Sequence, residues 1–124
     1  MTGYIGYMTI GTNDFDKALG FYDTLLEPMG GKRAFETPSG HLYSFEQGTL
    51  LGVFKPADGE RATNGNGTMV ALKVPSEDQV KEIYAKALEL GGTDEGSPGP
   101  RGTRGFYAAY FRDLDGNKLC VYHM

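Results

Sequence analysis

The chain has 124 residues, of which 40% are hydrophobic and 23% are charged, as in an ordinary globular domain. Its formal charge of −4 argues against a nucleic-acid partner, because surfaces that bind nucleic acid are basic. No apolar run approaches the ~20 residues that span a bilayer, and the single cysteine cannot form an internal disulfide. We therefore expect a cytoplasmic protein without a membrane partner.

The first half of the chain is predicted to contain a strand, a helix and three further strands. The first strand covers residues 8–10, and Asn13 or Asp14 supplies a helix-start signal. An apolar stripe with helical spacing follows, made up of Phe15, Ala18, Leu19, Tyr22, Leu25 and Leu26. The helix is predicted to end at Gly30-Gly31, because glycine readily adopts the left-handed conformation of a C-terminal cap. Strand-like segments then cover 32–37, 41–47 and 50–56.

The second half repeats this order. A strand over 70–74 precedes a capping-box pattern, Ser76 with Gln79, and a second helix that ends at Gly91-Gly92. Its strands are predicted at 93–97, 106–112 and 118–123, and residues 96–105 are predicted to form a loop. The expected fold is α+β, with two βαβββ modules (about 1–56 and 68–124) joined by a linker at 57–67. We expect them to form a curved mixed sheet around a central cavity, as a single domain over 1–124.

This arrangement resembles the vicinal oxygen chelate superfamily, which includes glyoxalase I, bleomycin-resistance proteins and extradiol dioxygenases. The segments that carry the resemblance are TNDFDKALGFYDTLLEPMGG in the first module and YAAYFRDLDGNKLCVYHM in the second. The most specific part is the stretch from Phe111 to Asn117, which is similar to the family's terminal hairpin, with Leu114 where proline is common. The resemblance implies a ligand cavity between the modules and pairing of two chains, so we expect a homodimer.

Enzymes of that superfamily hold a divalent metal through side chains of the first and last strand of each module. The resemblance places the four ligand positions at Tyr7, Gly52, Met69 and Cys120. None of them is the His or Glu that the family typically uses. Met69 and Gly52 cannot serve in a hard metal site, and Tyr7 and Cys120 alone do not make one. The sequence therefore predicts a member without a metal or other cofactor.

The predicted partner is a small organic molecule in the cavity. The residues expected to bind it are aromatic, sulfur-containing or cationic: Tyr7, Phe54, Met69, Arg101, Tyr110, Cys120 and Tyr122. Arg101 is a candidate because a guanidinium can clamp a carboxylate or phosphate, although Arg104 in the same segment is an alternative. Tyr107 and Tyr110 lie on opposite faces of one predicted strand, so only one of them can line the cavity.

Other reactive residues are expected to be structural or solvated. His41 and His123 are predicted to have no catalytic role, Glu46 to be solvated, and Cys120 to be an inert buried thiol. We therefore assign no catalytic residue. The favoured function is metal-independent binding of a small molecule. The alternatives are an isomerase or lyase similar to lactoylglutathione lyase, and a non-catalytic interaction module.

Overall fold

The structure is a computed structural model that describes all 124 residues. The chain divides into two compact units, residues 1–63 and 64–124, and each is described by itself. The boundary between the units lies inside the predicted linker. Neither helix of the chain has the length and hydropathy that crossing a membrane requires.

The first unit is a four-stranded mixed sheet with one α-helix. In sheet order the strands are β1-β4-β3-β2, and β1 runs parallel to β4 while the other neighbours are antiparallel. A short 3₁₀ turn follows the helix. The elements are β1 (Tyr7–Gly11), α1 (Phe15–Leu26), β2 (Lys32–Glu36), β3 (Gly40–Ser44) and β4 (Leu50–Phe54).

The second unit has the same topology. Its sheet order is β5-β8-β7-β6, again with the first strand parallel to the last. The elements are β5 (Val70–Lys73), α2 (Glu77–Glu89), β6 (Thr93–Pro100), β7 (Tyr107–Arg112) and β8 (Lys118–His123). Two helices and two four-stranded mixed sheets confirm the predicted α+β class and the two βαβββ modules.

The helix starts follow the predicted polar signals. Asp14 caps α1, with its Oδ1 accepting from the Lys17 backbone N–H at 3.2 Å. Ser76 caps α2, with its Oγ accepting from the Gln79 N–H at 3.2 Å. The capping box is incomplete, however, because the Gln79 Oε1 lies 3.4 Å from the Ser76 hydroxyl and accepts from it. The Gln79 side chain thus binds the Ser76 hydroxyl instead of the Ser76 backbone N–H that the capping-box pattern predicts.

Each helix covers one face of its own sheet. Alternate strand residues such as Val53 and Leu119 are almost completely buried in the two cores, as the period-two geometry of a strand requires. The stripe predicted for α1 needs one correction, since Phe21 is buried and Phe15 is only half-buried. Phe15 lies at the first turn of α1, where fewer neighbours surround it.

Two strand ends differ from the prediction by three residues, and the others by at most two. β6 continues to Pro100 and so takes up the first half of the expected loop at 96–105. The register shifts on both sides of Gly96, and these irregularities let a segment rich in glycine and proline pair with β7. β3 ends at Ser44 rather than at residue 47.

Candidate functional site

The second sheet has one face under α2 and one face open. Leu119, Val121 and Phe111 are fully buried on the helix side. Their neighbours along each strand point the other way, so Cys120 and its register partner Tyr110 lie on the open face. This register decides between the two tyrosines of β7. Tyr107 lies on the helix side, where the Lys81 Nζ is 6.0 Å from its ring centroid.

Two cations approach the Tyr110 ring from the two strands that flank β7. The Arg101 Cζ lies 5.4 Å from the ring centroid, on the β6 side. The Lys118 Nζ lies 5.5 Å from it, on the β8 side. Both distances are within the range of a cation–π contact. Neither cation is in an ion pair with a carboxylate.

The Arg101 side chain is held in place by its own loop. Its Nη1 donates to the Gly99 carbonyl at 2.8 Å, and its Nη2 donates to the Ser97 carbonyl at 2.7 Å. A side chain at Gly96 would crowd this arrangement, because a Cβ there would lie 3.0 Å from the Tyr110 ring and 3.3 Å from the Arg101 Nη2. Arg104 lies exposed in the turn that follows. Of the two arginines, Arg101 is thus the one positioned over the open face.

Neutral groups form the middle of this face. Cys120 is 1% exposed, and burial raises the pKa of its thiol against the opposing influence of Tyr110, Arg101 and Lys118. Burial, followed by the neighbouring Cys120, raises the pKa of the Tyr110 phenol. Both groups are therefore protonated near neutral pH, and the charge beside them comes from the two cations.

A pair of aromatic rings extends the face along β8. Tyr122 lies one register step beyond Cys120 on the open side, and its ring centroid is 5.2 Å from that of Phe106 at an interplanar angle of 31°. The Phe106 carbonyl accepts from the Arg101 backbone N–H at 2.7 Å, which ties the rings to the arginine loop. We call this set of side chains the basic aromatic face: Arg101, Phe106, Tyr110, Lys118 and Tyr122.

A cleft adjoins the basic aromatic face at the start of β8. It has a volume of ≈ 580 Å³ and is lined by residues 64–69, Arg112 and Lys118. Met69, one of the predicted binding residues, is therefore on its wall. Arg112 is neutralised by Glu95, whose Oε1 lies 2.5 Å from the Arg112 Nε, whereas Lys118 has no such partner.

The two predicted residues of the first unit lie on the open face of its own sheet. Tyr7 pairs in register with Leu50, and Phe54 pairs with Gly11, so they lie at opposite ends of the β1–β4 ladder. Four residues of strand separate them, or about 13 Å. The Phe54 ring lies over Gly40, where an added Cβ would be 2.1 Å from it. The structure therefore keeps Phe54 apart from Tyr7.

The residues at the family's four metal positions do not fit a divalent metal. Gly52 offers no donor, and its space is occupied, since a Cβ there would lie 2.7 Å from Phe54 and 2.9 Å from Leu42. Cys120 is a lone buried thiol, and a single sulfur ligand does not make a divalent metal site. Nowhere in the chain do three or more His, Cys, Asp or Glu side chains form a group that could hold a metal ion.

Both histidines lie on the helix side of their sheets. His41 is 8% exposed, its ring packs edge-on against Phe15 at 5.1 Å, and its Nε2 is 3.7 Å from the Glu36 Oε1. His123 is half-buried with its Nδ1 3.2 Å from the Val74 carbonyl oxygen. Neither histidine is therefore on the side of the basic aromatic face.

The sequence prediction brought together some residues of the site and missed others. Four of the predicted binding residues, Arg101, Tyr110, Cys120 and Tyr122, lie on one face of the second sheet. Lys118 and Phe106 were not predicted as binding residues. Lys118 could have been predicted, because it lies two residues from Cys120 along β8 and therefore on the same face. Nothing in the local sequence distinguishes Phe106 from a core aromatic residue.

Comparison with known proteins identifies the family. The family model of the Glyoxalase/Bleomycin resistance protein/Dioxygenase superfamily matches residues 4–121. The chain therefore belongs to this superfamily, as its two βαβββ modules and its terminal hairpin predicted. No curated protein matches the sequence.

Several solved structures are similar to the chain. A glyoxalase/bleomycin resistance protein from Albidiferax ferrireducens T118 is 33% identical, with a TM-score of 0.89 over 97% of this chain and 98% of that one. A glyoxalase-related enzyme from Fulvimarina pelagi is 19% identical (TM-score 0.79; 99% and 89% covered). A lactoylglutathione lyase from Agrobacterium tumefaciens is 20% identical (TM-score 0.72; 99% and 95% covered). The last two similarities concern the fold alone.

Proposed function

We propose that the protein binds a small organic molecule without a metal, and that the ligand lies on the basic aromatic face. The observation that carries the proposal is the residue set at the family's metal positions, Tyr7, Gly52, Met69 and Cys120. Only Tyr7 and Cys120 carry a possible ligand atom, and these two alone do not make a divalent metal site. The superfamily scaffold hosts unrelated functions, so the function must be argued from these side chains.

The side chains on this face suit an organic ligand. Tyr110, Tyr122 and Phe106 provide flat apolar surface together with two phenol groups, and aromatic residues of this kind dominate small-molecule sites. Arg101 is held in a single orientation by two carbonyl groups. Groups that are already ordered lose little entropy when a ligand binds.

The test is a comparison of metals and organic probes on the purified, untagged protein. We expect metal content far below one ion per chain and no change in Tm on adding zinc, nickel, manganese or iron. A panel of small aromatic compounds should contain members that raise Tm, since a ligand at about 100 times its Kd adds about 2.7 kcal/mol to the stability of the folded state. Stoichiometric metal with a metal-dependent Tm would overturn the proposal.

A pair of matched variants localises the binding. Tyr122→Leu should abolish the probe-induced rise in Tm because it removes a ring of the basic aromatic face. Tyr4→Leu changes a residue that is 85% exposed near the N-terminus and should leave the rise intact. Equal responses of the two variants would place the ligand elsewhere.

The alternative functions have separate readouts. A lyase-like reaction on the adduct of methylglyoxal and glutathione requires a Lewis acid and a carboxylate base. Glu95 on β6 is a carboxylate of the same sheet, but it is in an ion pair with Arg112. Turnover of that adduct above the uncatalysed rate would favour the lyase. A protein that responds to no organic probe would favour the interaction module.

A further inference from the structure

We propose that the ligand of the basic aromatic face is an organic anion with a flat apolar body, whose anionic group is bound by Lys118 and Arg101. This inference rests on the proposed function and adds the chemical class of the ligand. It depends on three features of the second unit: the distribution of charge across its sheet, the hydrogen bonds of Arg101 and the neutral aromatic surface between the cations.

Charge is separated between the two sides of the second sheet. The helix side carries the four carboxylates and two lysines of α2. The open side carries Arg101 and Lys118 without carboxylate partners, and Lys73 follows on the same side as the register partner of Tyr122. In a chain with a net charge of −4, this is a positively charged surface, and it attracts anions and repels cations.

The two cations flank the Tyr110 ring, Arg101 on the β6 side and Lys118 on the β8 side, and one anionic group at this ring would interact with both. Two strong bonds to the carbonyls of Gly99 and Ser97 leave other N–H groups of the Arg101 guanidinium available. Lys118 is half-buried beside Tyr110 and borders the ≈ 580 Å³ cleft, so its ammonium group can turn toward a ligand. A carboxylate that accepts from either cation forms a charge-assisted hydrogen bond.

The apolar body of the ligand would lie on the rings. Tyr122 and Phe106 pack at 5.2 Å and present a continuous aromatic surface next to the cations. Because Cys120 and Tyr110 are uncharged near neutral pH, no negative group competes with the ligand there. A hydrophobic anion therefore matches the face in both charge and polarity.

The experiment compares naphthoate with naphthamide, two probes that share the same rings and differ in charge. Binding is followed by protein NMR on the full chain, in buffer with a metal chelator. We expect naphthoate to bind at least about ten-fold more tightly than naphthamide, the equivalent of one charge-assisted hydrogen bond. Added salt should weaken the binding of naphthoate and leave that of naphthamide unchanged, because salt screens exposed charges.

Two variants provide the matched control. Lys118→Gln should reduce naphthoate affinity about ten-fold while the affinity for naphthamide stays the same. Lys81→Gln removes the equivalent lysine over Tyr107 on the helix side of the same sheet, at 6.0 Å, and should change neither affinity. Each variant loses one cation–π contact, with Tyr110 or with Tyr107, so the unfolding transitions of the two variants should shift by similar small amounts.

The outcomes separate this inference from the proposed function. If naphthoate and naphthamide bind equally in the presence of the chelator, the face binds organic ligands without selecting anions, and only the inference fails. It also fails if Lys118→Gln and Lys81→Gln behave alike. If neither probe binds at millimolar concentration, both the inference and metal-independent binding on this face are wrong.

Discussion

At the scale of single residues, the first unit contains a charged network that links α1 to β2 and β3. The Asp23 carboxylate accepts two hydrogen bonds from Arg33, at 2.9 and 2.6 Å. It also accepts one from the Tyr43 hydroxyl at 2.6 Å. Burial raises the pKa of Asp23, but the bonds from Arg33 and Tyr43 outweigh burial, and the net shift is downward.

This shift predicts a pH-dependent stability. Because the pKa of Asp23 is lower in the folded state, its contribution is fully present above the unfolded-state pKa of about 3.9 and is lost as the pH falls through the folded-state pKa. Asp23→Asn should therefore be less stable than the wild type at pH 7, and the difference should shrink in acid. Denaturant unfolding at several pH values measures it. A difference that stays constant down to the acid transition would contradict the assignment.

The hydroxyl of Tyr43 predicts a second effect at this scale. Tyr43 is 1% exposed, and burial, followed by its hydrogen bond to Asp23, raises its pKa. We expect Tyr43→Phe to lower the free energy of unfolding by about 1–2 kcal/mol, because a buried tyrosine loses its hydrogen bond to a partly buried carboxylate. Tyr84→Phe removes the analogous bond to Asp94, 2.8 Å long and exposed, and should cost less. Equal losses of unfolding free energy in urea would show that the burial of Tyr43 does not strengthen its hydrogen bond.

At the scale of elements, the Gly-Gly pairs at the ends of the helices have two separate roles. Gly30 and Gly91 adopt φ values of 79° and 103°, the left-handed region that favours glycine. The second glycine of each pair, Gly31 or Gly92, has no room for a side chain. A Cβ on Gly92 would lie 2.7 Å from the Arg112 carbonyl oxygen and 2.8 Å from that of Ala87.

These contacts predict opposite effects of glycine-to-alanine changes. Gly92→Ala should destabilise the protein by about 1–3 kcal/mol, because the new methyl group overlaps rigid backbone. Gly20→Ala lies on the exposed side of α1 with nothing within 4 Å of the added Cβ. It should stabilise by about 0.5–1 kcal/mol through higher helix propensity. Thermal unfolding of both variants is the measurement, and the same sign for both would refute the steric reasoning.

At the scale of the whole molecule, we propose that the protein is a homodimer. Tyr7 and Phe35 are 62% and 61% exposed on the open face of the first sheet, one on each of its edge strands. Large exposed apolar side chains on an open sheet face favour association. Light scattering should report twice the mass of one chain at micromolar concentration. Phe35→Lys should shift the mass toward that of the monomer, whereas Leu114→Lys, in the turn between β7 and β8, should not. A monomeric wild type would disprove the proposal.

Local patterns were sufficient to predict most of the fold. Strand alternation and helical spacing are repeated in two halves of the chain, and each repeat is a complete βαβββ unit whose order follows from the sequence. The extent of β6 could not be predicted, because a segment of glycine and proline reads as a loop. Pairing with β7, with register shifts around Gly96, makes it a strand.

The sequence by itself determined the fold class and the two modules, since both depend on short-range spacing, whereas the metal positions were placed by the resemblance to the superfamily. Only the tertiary structure decided that Tyr110 rather than Tyr107 lies on the open face, and that Arg101 rather than Arg104 lies over it. It also added Lys118 to the site. Those choices depend on which face the helix covers and on how β6 pairs with β7, which are contacts between segments distant in the chain.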